Sequence, residues 1–342
     1  MEHLGKKRRL NMLSDSSGRF SMLAIDQRQS LRKMIAEQTK ETPEKVAVAS
    51  LKLVKRVVTS RLAYKASALL IDPRIGYASA WQFIPAGTGV LLSMEQTGYA
   101  TVNQRERLTR LLPEWDVQKA LAAGADGVKL LIWYNKDASD ATLEHQTSIV
   151  RAMGEACERH SIPFILEVVC YPLDDALVTR PEFAHQKAMW VIDAARTFSR
   201  PEYRVDVLKL EFPGNLKYVK EYQSASFAGG DIIHDLSEIQ DFCHQVNMAS
   251  TIPWVILSAG VEPEEFIENI RICNNAGASG FLCGRAIWKD ITRYFPDTQA
   301  MESYLSQTAS AFFDAILSAN HEALPWYQHE KYRLQSDSFT IK

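Results

Sequence analysis

Short apolar runs separated by long amphipathic stretches recur along the chain. Eight of these runs have the length and composition of buried strands, namely "SMLAID" (21–26), "SALLID" (67–72), "GVLLSME" (89–95), "GVKLLIWY" (127–134), "PFILEVV" (163–169), "VDVLKLEF" (205–212), "PWVILSAG" (253–260) and "GFLCGRA" (280–286). Between them, apolar residues recur every three or four positions, as in residues 45–62 and 116–127, which is the spacing of an amphipathic helix. The pattern therefore predicts buried strands that alternate with helices.

Alternating strands and helices are typical of an α/β protein whose parallel sheet is covered on both faces. Eight such units predict a (β/α)8 TIM barrel in a single domain spanning residues 1–342, with extra terminal helices at about 1–20 and 296–342. The alternative is a doubly wound sheet with a dinucleotide site. Its glycine-dense candidate, "AGTGV" (86–90), precedes a strand instead of following one, so the barrel is favoured.

Composition and charge exclude several classes of partner. A formal net charge of −2 does not indicate binding to nucleic acid or to an anionic membrane. The basic run "KKRR" (6–9) is interpreted as a solvent-exposed helix face. No apolar run reaches the roughly 18 residues of a membrane span, and no signal peptide is visible. Five cysteines without a CxxC pair are interpreted as reduced core residues. We therefore expect a cytoplasmic protein.

Two predicted strands carry a lysine inside an apolar run, Lys129 in the fourth strand and Lys209 in the sixth. A buried ammonium group loses its hydration, which costs several kcal/mol unless a partner compensates it or a site uses it. For one strand alone, a structural lysine satisfied by a neighbour such as Glu211 is an adequate interpretation. Two such lysines, with Glu167 on the strand between them, indicate a site.

Polar residues lie at the carboxyl ends of nearly all the predicted strands, where barrel enzymes carry their chemistry. Asp72 and Glu95 are interpreted as satisfied structural charges. Alternation along the strands leaves the orientation of the two lysines open, because both faces of each strand are apolar. If strands four to six point these side chains inward, Glu167 lies between the two lysines. The complete set is Asp26, Gln27, Arg28, Asp72, Glu95, Lys129, Glu167, Lys209, Glu211, Ser258, Gly260, Gly284 and Arg285.

These residue types fit one chemistry. A lysine among apolar walls with a second ammonium nearby loses its proton more easily, and the free amine attacks a carbonyl. The resulting carbinolamine must be protonated and dehydrated, for which Glu167 is the candidate general acid and base. Backbone N–H groups near Ser258, Gly260 and Gly284, together with Arg285, predict a phosphate site. A buried amine, a carboxylate and a phosphate site together describe a Schiff-base aldolase.

The most specific signal comes from eight segments: "LAIDQR" (23–28), "LLIDPRIGYAS" (69–79), "LLSMEQTGY" (91–99), "AAGADGVKLLIWY" (122–134), "PFILEV" (163–168), "VDVLKLEFP" (205–213), "VILSAGV" (255–261) and "FLCGRAIW" (281–288). They resemble the class I tagatose 1,6-bisphosphate aldolases, and the resemblance runs from about residue 7 to 330. It extends more loosely to the aldolases that act on sulfofructose 1-phosphate.

The resemblance implies reversible cleavage of tagatose or fructose 1,6-bisphosphate to dihydroxyacetone phosphate and glyceraldehyde 3-phosphate. In such an enzyme Lys209 forms the imine with the ketose. Glu167 and Lys129 serve proton transfer and electrostatics, and Asp26 orients Lys209 or a substrate hydroxyl. The residues expected to bind hydroxyls and phosphate are Gln27, Arg28, Ser258, Gly260, Gly284 and Arg285. We expect no cofactor and no metal, a phosphorylated sugar as the partner, and a homo-oligomer.

One position departs from the family, which usually has a small residue after "DQR" where this chain has Gln29. The preferred stereoisomer, and the choice between phosphate and sulfonate on the distal arm, therefore stay open. A metal-dependent aldolase is disfavoured because the eight histidines show no ligand spacing and none lies in a predicted strand. A non-catalytic sugar-phosphate sensor on the same barrel has no use for two buried lysines.

Overall fold

The computed structural model describes residues 4–103, 105–178 and 180–336. Its strands are β1 (Phe20–Ala24), β2 (Ala68–Ile71), β3 (Gly89–Ser93), β4 (Ala100–Val102), β5 (Glu106–Leu108), β6 (Gly127–Tyr134), β7 (Phe164–Cys170), β8 (Val207–Leu210), β9 (Trp254–Ile256) and β10 (Gly280–Cys283). Its helices are α1 (Leu4–Leu13), α2 (Gln29–Thr39), α3 (Val48–Leu62), α4 (Ala78–Ala80), α5 (Val117–Ala122), α6 (Asp140–Arg159), α7 (Glu182–Phe198), α8 (Leu236–Ala249), α9 (Pro263–Asn275), α10 (Arg285–Trp288), α11 (Thr298–Tyr304), α12 (Ser310–Ala319) and α13 (Glu330–Ser336).

Eight strands form a closed parallel barrel in the order β1-β10-β9-β8-β7-β6-β3-β2, which confirms the predicted (β/α)8 fold. The remaining two, β4 and β5, pair as a small antiparallel hairpin between β3 and β6. Several barrel strands are shorter than predicted at their carboxyl ends. The turn at 258–260 follows β9, and Arg285 begins α10, so these polar residues lie beyond the strands at the carboxyl end of the barrel.

Side-chain alternation divides the apolar residues into two clusters, one inside the barrel and one between the barrel and its helices. The interior cluster includes inward-facing residues of the strands, such as Met22, Leu70 and Ile165. It also includes residues of α1 and of the C-terminal segment, among them Leu10 and Trp326, which cover the N-terminal end of the barrel. The carboxyl end of the barrel is therefore the end available for a site.

Helices are present in both predicted terminal regions, with bounds that differ from the predicted ones. Helix α1 ends at Leu13 and β1 begins at Phe20, so the helix predicted over residues 1–20 is too long. Helices α11 and α12 pack against α3 and α9, in the outer ring of helices. Residues 1–3 and 337–342, at the ends of these two predicted regions, lie outside the described residues.

The basic run at residues 6–9 is not the solvated face that its composition predicts. Lys6 is buried and its Nζ lies 2.7 Å from Asp206 Oδ2. Arg9 donates a hydrogen bond of 3.1 Å to the carbonyl of Ser161. Because α1 lies across the N-terminal end of the barrel, one side of this run is drawn into contact with it.

All five cysteines are free and buried, as the sequence predicts. Burial raises the pKa of the Cys157, Cys170 and Cys283 thiols, so they stay protonated and pack as small apolar groups. Within the described residues, no helix combines the length and the apolar composition needed to cross a membrane.

Candidate active site

Lys129 lies inside the carboxyl end of the barrel, enclosed by three carboxylates. Its Nζ is 2.9 Å from Asp26 Oδ2, 2.9 Å from Glu95 Oε1 and 2.6 Å from Glu167 Oε2. Burial by itself lowers the pKa of Lys129, but the three carboxylates outweigh it and hold that pKa well above its usual value. Lys129 is therefore a permanent cation at neutral pH, and it holds the three carboxylates together.

Glu167 lies between the two buried lysines, as strand alternation allows. Its Oε1 is 2.9 Å from Lys209 Nζ, on the side away from Lys129. In the strand register Glu167 of β7 is directly opposite Lys209 of β8, so the backbone pairing itself sets this contact. Burial raises the pKa of Glu167, but the charges of Lys129 and Lys209 outweigh it, and the net shift is downward. Glu167 is thus an ionised carboxylate in contact with both amines.

Lys209 is held less tightly than Lys129. Its one ion-pair partner among the described residues is Glu167, whereas Lys129 has three. Lys209 is 4 % exposed, and the residue opposite it on β9 is the apolar Val255. The amine of Lys209 therefore has fewer ion-pair partners among the described residues than the amine of Lys129.

Asp26 contacts Lys129, and the structure records no ion pair between Asp26 and Lys209. The predicted contact between Asp26 and Lys209 is therefore not among the ion pairs of the described residues, whereas a contact between Asp26 and Lys129 is. Burial raises the pKa of Asp26, but the charges of Lys129 and Lys209 outweigh it and hold that pKa well below its usual range. No group of three or more His, Cys, Asp or Glu in the described part of the chain is arranged to hold a metal.

Glu95 is the site residue that the sequence interpretation missed. Its Oε1 binds Lys129, and its Oε2 accepts the N–H of Leu131 at 3.0 Å. Arg28 donates to the Glu95 carbonyl at 2.6 Å, and its Nη2 is 3.9 Å from Glu95 Oε1. Glu95 is a satisfied charge, as predicted, yet it also belongs to the cluster. Its position at the end of a predicted strand was the same signal that singled out Asp26.

Two other predicted carboxylates lie outside the cluster. Asp72 forms a fully buried ion pair with Lys55 of 2.7 Å and accepts the N–H groups of Ile75 and Gly76, so the structural interpretation of Asp72 is confirmed. Glu211 accepts the N–H of Cys170 at 2.7 Å. Burial raises the pKa of Glu211. Glu211 is therefore tied to the backbone of β7 and is not the partner of Lys209.

The structure brings the predicted phosphate residues of β9 and β10 together. The turn after β9 places Ala259 and Gly260 at φ values of +49° and +85°, and a Cβ on Gly260 would lie 3.5 Å from Cζ of Arg285. The N–H groups of Ala259 and Gly260 have no acceptor among the described residues. Ala259, Gly260, Arg285 and Lys289 line a cavity of about 410 Å³. Gly284 is required because a Cβ there would lie 2.1 Å from the carbonyl oxygen of Ala24.

Several polar atoms around this end of the barrel are buried without a hydrogen-bond partner in the described residues. They include Gln27 Oε1, Arg28 Nε, Ser93 Oγ and Trp133 Nε1. Folded proteins pair nearly all such atoms, so each unpaired one needs an explanation. Ser93 is opposite Lys129 in the strand register, and Gln27 directly follows Asp26. The unpaired atoms therefore fit a site that receives a polar ligand.

The closed barrel with a charged cluster at its carboxyl end is the architecture of a barrel enzyme, and the family match defines the class of protein, an aldolase and hence a carbon–carbon lyase. Residues 20–290 match the family model described as DeoC/LacD family aldolase. The chain belongs to this family.

Curated relatives and a solved structure agree with this assignment. The chain is 35% identical to tagatose 1,6-diphosphate aldolase of Lactococcus lactis subsp. lactis over 285 residues, which cover 83% of this chain and 84% of the relative. It is 36% identical to tagatose 1,6-diphosphate aldolase 2 of Enterococcus faecalis over 294 residues, 85% of each chain. A fructose-bisphosphate aldolase structure from Plasmodium falciparum aligns with a TM-score of 0.65 at 13% identity, covering 94% of this chain and 95% of that one. At that identity the structural likeness concerns the fold alone.

Proposed function

We propose that the protein is a class I aldolase that reversibly cleaves tagatose or fructose 1,6-bisphosphate to dihydroxyacetone phosphate and glyceraldehyde 3-phosphate. The observation that carries the proposal is the chain of contacts in which Glu167 touches Lys209 at 2.9 Å and Lys129 at 2.6 Å. A nucleophilic amine with a carboxylate in contact and a second, fixed cation behind it is the machinery that imine chemistry requires. The choice of a ketose 1,6-bisphosphate as the substrate is supported by the names of the relatives, which are tagatose 1,6-diphosphate aldolases.

In this mechanism Lys209 gives its proton to Glu167, with which it is in contact, and the free amine attacks the C2 carbonyl of the open-chain ketose. Glu167 then protonates the carbinolamine hydroxyl, which leaves as water and gives an iminium ion. Removal of the C4 hydroxyl proton breaks the C3–C4 bond, and the electron pair of that bond moves into the iminium to form an enamine. The aldehyde product leaves. Protonation at C3 and hydrolysis of the imine then release dihydroxyacetone phosphate and restore Lys209.

Glu167 is the residue we assign to the proton transfers. Its contact with Lys209 supports this assignment, because the carbinolamine forms on that nitrogen. Lys129 fixes the other oxygen of Glu167 and keeps the carboxylate ionised between proton transfers. Asp26, which shares Lys129 with Glu167, is assigned to substrate hydroxyls.

The phosphate on C1 is assigned to the turn after β9 and the start of α10. Arg285 supplies a charge-assisted hydrogen bond, and Ser258, Gly260 and Gly284 supply backbone and hydroxyl donors. The unpaired N–H groups of Ala259 and Gly260 support this assignment. The substrate hydroxyls meet Gln27 and Arg28, whose Oε1 and Nε atoms are likewise unpaired.

The sulfofructose 1-phosphate alternative is not favoured, because the curated relatives described above are named for the bisphosphate. A sugar-phosphate sensor would need the anion site but not the two lysines bridged by Glu167. We also propose that residues 1–342 form one domain and that the protein assembles as a homo-oligomer in the cytoplasm. These three statements are predictions from the sequence.

The direct test is borohydride trapping with dihydroxyacetone phosphate, followed by mass mapping of the peptides. We expect one reduced adduct on the peptide that contains Lys209, and none when the ketone is omitted. An adduct on Lys129 would reverse the roles of the two lysines, and the absence of any adduct would overturn the class I mechanism. Turnover is expected to be unaffected by EDTA, since the imine is the electron sink. Full loss in EDTA with recovery on adding zinc would contradict it.

A further inference from the structure

A buried lysine outside the cluster of lysines and carboxylates described above lies on the apolar face of α3. Helix α3 exposes Lys52 and Arg56, as an amphipathic helix does. Lys55 instead lies one turn after the buried Leu51, on the face that packs against the core. Its Nζ is 2.7 Å from Asp72 Oδ2, and neither side chain has any exposed surface. Lys55 therefore places a charge where the helix pattern predicts an apolar residue.

The stability of the fold does not explain this ion pair. Removing an ammonium group and a carboxylate from water commonly costs more free energy than their attraction returns, and apolar side chains of similar volume are often at least as stabilising. The neighbours of Lys55 on α3 include Val54 and Val58, which are fully buried, so an apolar side chain would find apolar partners there. The ion pair therefore indicates a requirement other than stability.

Lys55 also contacts the backbone beside the active site. Ile25 is the first residue beyond β1 and directly precedes Asp26. Lys55 Nζ donates to the carbonyl of Ile25, while the N–H of Ile25 donates to the carbonyl of Leu70 at 2.8 Å. Asp26 Oδ2 lies 2.9 Å from Lys129 Nζ. The Lys55 ammonium group is thus bonded to the peptide group that joins Ile25 to Asp26.

The other end of the ion pair is fixed by the turn after β2. Asp72 accepts the N–H groups of Ile75 at 2.8 Å and Gly76 at 3.1 Å. A Cβ on Gly76 would lie 2.8 Å from Asp72 Oδ2 and 2.5 Å from Cγ1 of Ile71, so the turn closes tightly on the carboxylate. Asp72 therefore cannot shift without the turn, and it holds Lys55 in a fixed position.

Lys55 and Asp26 also interact through their charges. Burial raises the pKa of Asp26, whereas Lys129, Lys209 and, to a smaller extent, Lys55 lower it. Burial lowers the pKa of Lys55, and the carboxylates of Asp72 and Asp26 act in the opposite direction. The charge of Lys55 therefore reaches the same carboxylate that its hydrogen bond to the backbone holds in place.

We infer that Lys55, held by Asp72, is a positioning residue that fixes the Asp26 carboxylate relative to Lys129 and to the substrate. The inference rests on the proposed function, which assigns Asp26 to substrate hydroxyls. A catalytic group misplaced by about 1 Å can cost about 10²-fold in rate, even when the substitution lies far from the chemistry. An apolar side chain at position 55 could fill the space, but it could not bond the Ile25 carbonyl.

The test compares Lys55→Met/Asp72→Asn with the control Lys6→Met. The first variant removes both charges, so neither is left buried without a partner. The control removes a lysine that is likewise buried against a carboxylate, Asp206, which keeps Lys331 as a partner. With tagatose 1,6-bisphosphate, kcat of the folded protein should fall about tenfold or more in the first variant and stay unchanged in the control. KM should change less than kcat, because the phosphate contacts are retained.

A double-mutant cycle with Asp26→Asn separates positioning from a general loss of structure. Asp26→Asn should reduce kcat in the wild-type protein. In Lys55→Met/Asp72→Asn the same substitution should reduce kcat by a factor at least about threefold smaller, because Asp26 is already misplaced there. In Lys6→Met the factor should equal that in the wild type. A purely structural role of Lys55 would leave the factor the same in all three proteins.

Equal factors in all three proteins overturn the inference, as does a wild-type kcat in Asp26→Asn or in Lys55→Met/Asp72→Asn. If the latter variant does not fold, Lys55→Gln/Asp72→Asn, whose two amides can hydrogen-bond to each other, takes its place in the cycle. Borohydride trapping with dihydroxyacetone phosphate tests the proposed function separately. An adduct on Lys209 together with equal factors would reject the positioning role of Lys55 alone.

Discussion

Two buried carboxylate–lysine clusters lie at opposite ends of the same barrel, and they differ in how completely they are satisfied. At the N-terminal end, Asp206 accepts from Lys6 at 2.7 Å and from Lys331 at 2.9 Å. It also accepts the Tyr332 hydroxyl at 3.0 Å and the N–H of Phe164 at 2.9 Å. Both Asp206 oxygens are therefore occupied twice.

At the carboxyl end, Glu167 has two lysine partners and no backbone N–H donor among the described residues. Both carboxylates are ionised. Burial raises the pKa of Asp206, but Lys331 and Lys6 outweigh it and hold that pKa at about 2, and the pKa of Glu167 is also lowered. A buried lysine pair is thus not by itself a sign of catalysis. Location at the carboxyl end, together with open hydrogen-bonding capacity, distinguishes the site.

The largest expected effect is the loss of turnover when Lys209, in the cluster at the carboxyl end of the barrel, is replaced. Lys209→Met should reduce kcat by about 10⁴-fold or more, because the imine nucleophile is removed. Glu167 keeps Lys129 as its partner in this variant, so the free energy of unfolding should change less than in any variant of Asp206. A coupled assay of dihydroxyacetone phosphate release and urea unfolding measure the two quantities. Retained turnover would remove Lys209 from the mechanism.

At the N-terminal end of the barrel, a substitution should reduce stability and leave turnover unchanged. Asp206→Asn leaves Lys6 and Lys331 without a counter-charge, so the free energy of unfolding should fall by about 3–5 kcal/mol. The unpaired ammonium groups then have lowered pKa values in the folded state, so the loss should shrink as pH rises toward the ordinary lysine pKa. The kcat of the folded fraction should be preserved. A kcat loss matching that of Lys209→Met would show that the two clusters are coupled.

The loss of stability caused by Lys129→Met should depend on pH in the opposite direction to the loss caused by Asp206→Asn. In the wild type, the lowered pKa of Glu167 and Asp26 contributes stability that is present above their unfolded pKa and lost as pH falls through the folded values. Without Lys129, burial raises these pKa values instead, so the variant should be less stable by about 3–5 kcal/mol at pH 7.5. The difference from wild type should shrink toward pH 5. Urea unfolding at both pH values checks the sign, and a difference that grows on acidification would contradict it.

The smallest of the four effects should come from Glu167→Gln, which keeps the shape of the side chain and removes its ionisable group. A general acid and base accounts for about 10²- to 10⁴-fold in rate, so kcat should fall by at least about 10²-fold. Trapping of dihydroxyacetone phosphate on Lys209 should be affected less than overall turnover. Near-normal kcat would transfer the role to Asp26, which shares Lys129 with Glu167.

The sequence by itself determined the architecture, and it named Lys129, Glu167, Lys209 and Asp26 as the candidate catalytic residues. Continuous apolar strands that alternate with helices admit few folds besides a barrel, because both faces of each strand must be buried. The same periodicity assigned Lys129, Glu167 and Lys209 to three consecutive strands of the predicted barrel, but it left their orientation open because both faces of each strand are apolar. The motifs around these residues carried the family resemblance, which the family match over residues 20–290 confirms.

Only the tertiary structure decided which charges meet, because side-chain contacts between distant segments depend on the packing of the whole barrel. Lys6 and Lys331 converge on Asp206 from opposite ends of the chain, so "KKRR" was misread as a solvated face. Glu95 joined the cluster through β3 and β6, which are neighbours in the barrel although a hairpin separates them in sequence.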